Sequence, residues 1–114
     1  MKIATVLSGL VLLAAFAVAE AHVHLKSSIP AEGAALSSAP TRVVLNFAEP
    51  ALVTALWIQQ GDQPRRKLGP LPAKPETTVT VATEGLKPGK YLVTWRAVSA
   101  DQHVMSGQLH FTVG

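Results

Sequence analysis

The chain has 114 residues, 48% apolar and 15% charged, with a formal net charge of +3 and no cysteine. That balance is globular and excludes a polar disordered tail, while the length excludes a multidomain enzyme with a large internal cavity. With no disulfide to staple it, the fold has to rest on its hydrophobic core.

The first element is a leader. Met1-Lys2 supplies a short basic start, an apolar run follows from Leu10 to Ala19, and Ala19-Glu20-Ala21 forms a small-x-small cleavage motif. The run is shorter than the roughly 20 residues a membrane-spanning helix needs. Residues 1–21 are therefore expected to be a signal peptide, leaving residues 22–114 as one exported, soluble domain that begins at His22.

From there the hydrophobic pattern has period two, the signature of strands with one buried face. A first strand is expected over 23–28. Val43, Leu45 and Phe47 share a face in the second. Residues 54–59 put Thr54, Leu56 and Ile58 on one side and Trp57 on the other, and residues 77–82 alternate Thr and Val. Tyr91, Val93, Trp95 and Ala97 point one way over 90–98, and Leu109, Phe111 and Val113 do so over 107–113. Turn residues separate these runs at Pro30–Gly33, Gln60–Asp62, Leu68–Pro72 and Lys87–Lys90. Pro70, Pro72 and Pro75 mark 62–76 as a loop or ragged edge. Six or seven short strands of this kind predict a small antiparallel β-sandwich or Greek-key barrel. Trp57, Tyr91 and Trp95 are read as packing residues.

The basic residues are scattered except for Arg65-Arg66-Lys67, which lack interleaved aromatic residues. This argues against a nucleic-acid partner.

The chemistry lies in the histidines: His22, His24, His103 and His110. As a new N-terminus, His22 offers one metal both its α-amine and its ring Nδ1. Asp101 and His103 stand two apart, and in extended backbone such side chains leave the same face. An amine, two imidazoles and a carboxylate form a nitrogen-rich tetragonal set suited to Cu(II), with Zn(II) the chemical competitor. A local alternative needs no fold: a free amine, two amide nitrogens and the third-residue imidazole of His22-Val23-His24 can wrap Cu(II) in a plane. Ser99, Gln102 and Ser106 are candidates to orient the ligands by hydrogen bonds. His110 falls on an outward strand face and reads as a surface residue.

These segments resemble the CopC family of periplasmic copper-binding proteins. The likeness runs through His22-Val-His24-Leu-Lys-Ser-Ser-Ile-Pro30-Ala-Glu-Gly33, Ala39-Pro40, Val43–Pro50 and Leu86–Tyr91. It is densest in Tyr91-Leu-Val-Thr-Trp95-Arg-Ala-Val-Ser99-Ala-Asp101-Gln-His103, and Ser106-Gly107 and Phe111–Val113 follow. The resemblance implies a cupredoxin-like, immunoglobulin-like sandwich that holds one Cu(II) per chain through His22, Asp101 and His103. It further implies a monomer in the periplasm that serves copper homeostasis, resistance or uptake beside an inner-membrane copper importer of the CopD type. Some members hold Cu(I) in a methionine-rich segment. Here Met105 is the one methionine beyond the leader, and a single thioether cannot build that site. Two other function classes stand against capture and delivery of copper: a copper-dependent oxidative enzyme of the histidine-brace type, and a metal-free immunoglobulin-like interaction module. The former needs a broad substrate face for which 93 residues leave little room.

Overall fold

A computed structural model describes residues 25–114. The expected leader, and with it His22 and His24, lie outside the described residues. Seven strands follow in order: β1 Leu25–Ile29, β2 Ala34–Leu36, β3 Arg42–Gln60, β4 Arg66–Lys67, β5 Glu76–Ala82, β6 Gly89–Ser99 and β7 Val104–Val113. No helix occurs among the described residues.

The long strand β3 organises the fold. Its first part pairs antiparallel with β1 on one side and β5 on the other, as Ile29 with Val44 and Val81 with Val43. Its last part pairs with β6, from Ala51–Ser99 to Gln60–Tyr91, and with β4. Ala48, Glu49 and Pro50, between these two parts, have no ladder partner among the described residues and are exposed. Proline has no N–H to give a ladder, so a crossover is where a strand tolerates it. β3 thus passes from one layer to the other and curls the sheet into a sandwich. The second layer continues β3–β6–β7–β2.

The core fills the space between the layers, and the period-two reading locates most of it. Val43, Leu45, Phe47, Leu56, Ile58, Val79, Val81, Tyr91, Val93, Trp95, Ala97, Leu109, Phe111 and Val113 are all buried. Phe47 meets Trp95 edge-on with centroids 5.4 Å apart, and Tyr91 stacks on Phe111 at 5.2 Å. The Tyr91 hydroxyl donates to the Lys87 carbonyl at 2.6 Å and accepts from the Lys87 N–H at 2.8 Å, a corner device known from immunoglobulin-like sandwiches.

Three features differ from the sequence expectation. Thr54 is exposed, not inward, because the β3–β6 register shifts between Val53 and Ala55 and the bulge resets the alternation. β2 pairs parallel with β7, through Ala34–Phe111 and Leu36–Val113, so the sandwich is not wholly antiparallel. The loop 62–76 contains the two-residue β4 and sends Leu68 into the core.

Candidate metal centre

β6 and β7 form a hairpin whose connection carries Asp101 and His103. The turn is closed by the Gln102 N–H donating to the Ser99 carbonyl at 2.9 Å. The Ser99 N–H then donates to the His103 carbonyl, also at 2.9 Å. Gln102 takes the left-handed conformation at φ 73°, the position a three-residue hairpin loop usually gives to glycine. Asp101 and His103 therefore sit on a tight turn, not on extended backbone as their spacing suggested. The turn nevertheless brings them together: Nδ1 of His103 lies 3.2 Å from Oδ2 of Asp101.

Ser99 holds this geometry from beneath. It is a buried polar residue, 8% exposed, and its hydroxyl donates to Oδ1 of Asp101. The Ser99 hydroxyl oxygen also accepts the His103 N–H at 3.3 Å. The Ser99 hydrogen bond lowers the Asp101 carboxyl below the usual carboxylate range against an opposing desolvation, with lesser help from the His103 ring and backbone N–H groups. The carboxylate thus stays ionised, open to a hydrogen bond or a cation rather than to a proton. Both side chains remain open to solvent, His103 at 73% and Asp101 at 69%.

Ser99 is the one expected positioning residue whose side chain touches the pair. Gln102 contributes through its backbone conformation. Ser106 lies exposed on β7 opposite Arg96, with no hydrogen bond to Asp101 or His103 among the described residues. Met105 is buried, 7% exposed, and packs in the core opposite Ala97. His110 is exposed, as expected, but it also has a structural partner. Its backbone N–H donates to Glu32 Oε1 at 2.8 Å and its Nδ1 lies 3.2 Å from Oε2, tying the β1–β2 turn to β7.

As a donor set, the hairpin supplies one imidazole and one carboxylate, chemistry that fits a copper or zinc ion. Among the described residues no group of three or more His, Cys, Asp or Glu converges, so the hairpin by itself offers two donors and any further ligand would have to come from elsewhere. Its location bears on where such a ligand could come from. Ser99 pairs with Ala51, while Leu25, the first described residue, pairs with Phe47 just before the crossover. The start of β1 and the Asp101–His103 turn thus lie at the same end of the sandwich.

Residues 25–114 match the CopC domain family. The copper resistance protein C of Escherichia coli is 38% identical over 116 residues, covering 92% of this chain and 90% of that protein. The crystal structure of PcoC, a methionine-rich copper resistance protein from Escherichia coli, superposes with a TM-score of 0.61 at 31% identity, covering 82% of this chain and all of that one. The crystal structure of CopC from Methylosinus trichosporium OB3b superposes with a TM-score of 0.67 at 24% identity, covering 81% of this chain and 93% of that one, a likeness of fold.

Proposed function

The chain belongs to the CopC family, and from that premise we propose that it captures one Cu(II) ion in the periplasm and hands it on, the His22 amine and ring joining Asp101 and His103 as ligands. The family is one of copper resistance proteins, not of enzymes, so copper is cargo here and nothing is turned over. The observation that carries the reading is the convergence of the Asp101 carboxylate and the His103 imidazole on one exposed turn, 3.2 Å apart.

Chain geometry supports the third ligand. His22 lies three positions before Leu25, and extended chain spans about 10 Å over that length, enough to bring an N-terminal residue from the start of β1 towards the turn. Cleavage after Ala21 is required, since a peptide bond at His22 would remove its amine as a donor. The carboxylate contributes negative charge and the three nitrogens the field Cu(II) prefers. Met105, buried in the core, takes no part, and a methionine-based Cu(I) site is not expected. An inner-membrane importer of the CopD type is the proposed recipient, with this chain acting as a monomer.

The test is the Cu(II) EPR spectrum and affinity of the exported protein, with mass spectrometry to establish that it begins at His22. Asp101→Ala and His103→Ala are each expected to change the spectrum and to lower affinity at least tenfold. One extra residue before His22 is expected to do the same. A spectrum that survives both hairpin substitutions would assign the metal to the local His22-Val23-His24 tripeptide and overturn the folded site.

A further inference from the structure

At the end of the sandwich away from the Asp101–His103 turn, the 60–66 and 84–88 connections enclose a cleft of about 400 Å³. Tyr91, in the cleft, lies eight positions before Ser99 on β6, which is about 26 Å along a strand. The floor is apolar, formed by Ile58, Leu86 and Tyr91, and the rim carries Arg65, Arg66 and Lys87. These three cations are exposed, and among the described residues no lysine or arginine forms a salt bridge with a carboxylate.

Two of the cations are held in place. The Arg65 guanidinium lies over the Trp57 ring at 4.0 Å, a stacking that fixes the side chain while leaving its N–H edges free. Arg66 reaches across the cleft and donates to the Glu84 carbonyl at 3.2 Å, with guanidinium donors to spare. Lys87 is anchored through its backbone to the Tyr91 hydroxyl, and its ammonium is free to move. Asp62 and Glu84 also lie in these turns, but Arg65, Arg66, Lys67, Lys87 and Lys90 outnumber them.

We propose that this cleft docks an acidic segment of a partner protein, with a carboxylate between Arg65, Arg66 and Lys87 and a neighbouring apolar side chain against the half-buried Leu86. Concavity favours a peptide over a membrane, because a flat headgroup layer cannot reach the apolar floor. Single-stranded nucleic acid would need open aromatic faces to stack on, and Arg65 already covers Trp57. A partner held here leaves the opposite end of the sandwich uncovered, so docking and access to the Asp101–His103 turn do not compete. The proposal stands or falls without copper.

The test is an NMR titration of the ¹⁵N-labelled exported protein, without metal, using the peptide acetyl-Glu-Leu-Glu-Leu-Glu-amide. Saturable shifts are expected at the amides of Gln63, Arg65 and Arg66 and of Gly85–Lys87, with little change at Asp101–His103. The peptide with glutamine in place of glutamate should not bind. Arg66→Glu and Lys87→Glu should each weaken binding at least tenfold. Among the described residues the side chain of Lys87 makes no hydrogen bond, so Lys87→Glu should keep the parent melting temperature. Equal binding by the glutamine peptide, or shifts spread over remote lysines such as Lys26 and Lys74, would overturn the proposal. Perturbation of these amides by phosphatidylglycerol vesicles or inorganic phosphate but not by the peptide would overturn it in favour of a headgroup or a simple anion.

Discussion

Replacing Gly107 with alanine sets two physical effects of similar size against each other. Gly107 lies on β7 directly opposite Trp95, and its backbone is not in the left-handed region that favours glycine. Alanine is therefore allowed by conformation, and restricting the unfolded chain would by itself stabilise the protein by about 0.4–1 kcal/mol. Space decides otherwise. A Cβ at this position would stand 2.6 Å from Cζ2 of Trp95 and 2.8 Å from both Cε2 and Nε1. The indole cannot easily yield, since it is 4% exposed and Phe47 packs edge-on against it. Forcing a methyl into a packed site costs about 1–3 kcal/mol. The net expectation is a loss of about 1.5 kcal/mol, which lowers the melting temperature of a domain of this size by about 6–12 °C. Thermal unfolding followed by circular dichroism reads this directly. An unchanged or raised melting temperature would refute the reasoning, because it would mean that the indole moves aside at no cost.

Two other outcomes concern the Asp101–His103 turn. Gln102 holds φ 73° without being glycine, a conformation that costs a side chain about 1 kcal/mol, so Gln102→Gly is expected to raise stability by about that amount in urea unfolding. Loss of stability would show that the Gln102 side chain makes a contact that outweighs its strain. Asp101 sets a pH dependence in the metal-free protein. Its folded pKa is lowered by the Ser99 hydrogen bond, so its contribution is present above the ordinary carboxylate pKa of about 3.9 and fades only as pH falls through the lower folded value. The stability difference between the parent and Asp101→Asn should therefore still be present at pH 5 and close only in stronger acid. A difference already lost by pH 5 would mean that the carboxylate is not held low.

Strand identity was legible wherever one face meets the core and the other meets solvent. The runs at Val43–Phe47, Tyr91–Ala97 and Leu109–Val113 are buried at the alternate positions the pattern marks. Continuing the β7 alternation back from Leu109 through Gly107 would have placed Met105 in the core, where it lies. Thr54 was misjudged because a bulge resets the phase without leaving a composition signal. Leu68 was invisible because it enters the core from a connection with no period. β2 is three residues long, too short for any alternation to be read.

The Asp101–His103 pair shows how two side chains can meet for a reason other than the one their spacing suggests. Extended backbone sends alternate side chains to one face but keeps them about 6.6 Å apart along the strand. The observed 3.2 Å contact needs a tight turn, and the usual marker of such a turn, a glycine in the left-handed position, is here a glutamine. What replaces that marker is the hydroxyl of Ser99, which grips the Asp101 carboxylate and the His103 N–H at once. Two donors on so exposed a turn compete with water on both sides. On the proposed reading, the strength of copper binding then comes from closing the chelate with the amine and ring that His22 brings from the start of β1. The turn sets where the metal sits, and processing of the chain sets whether it is held.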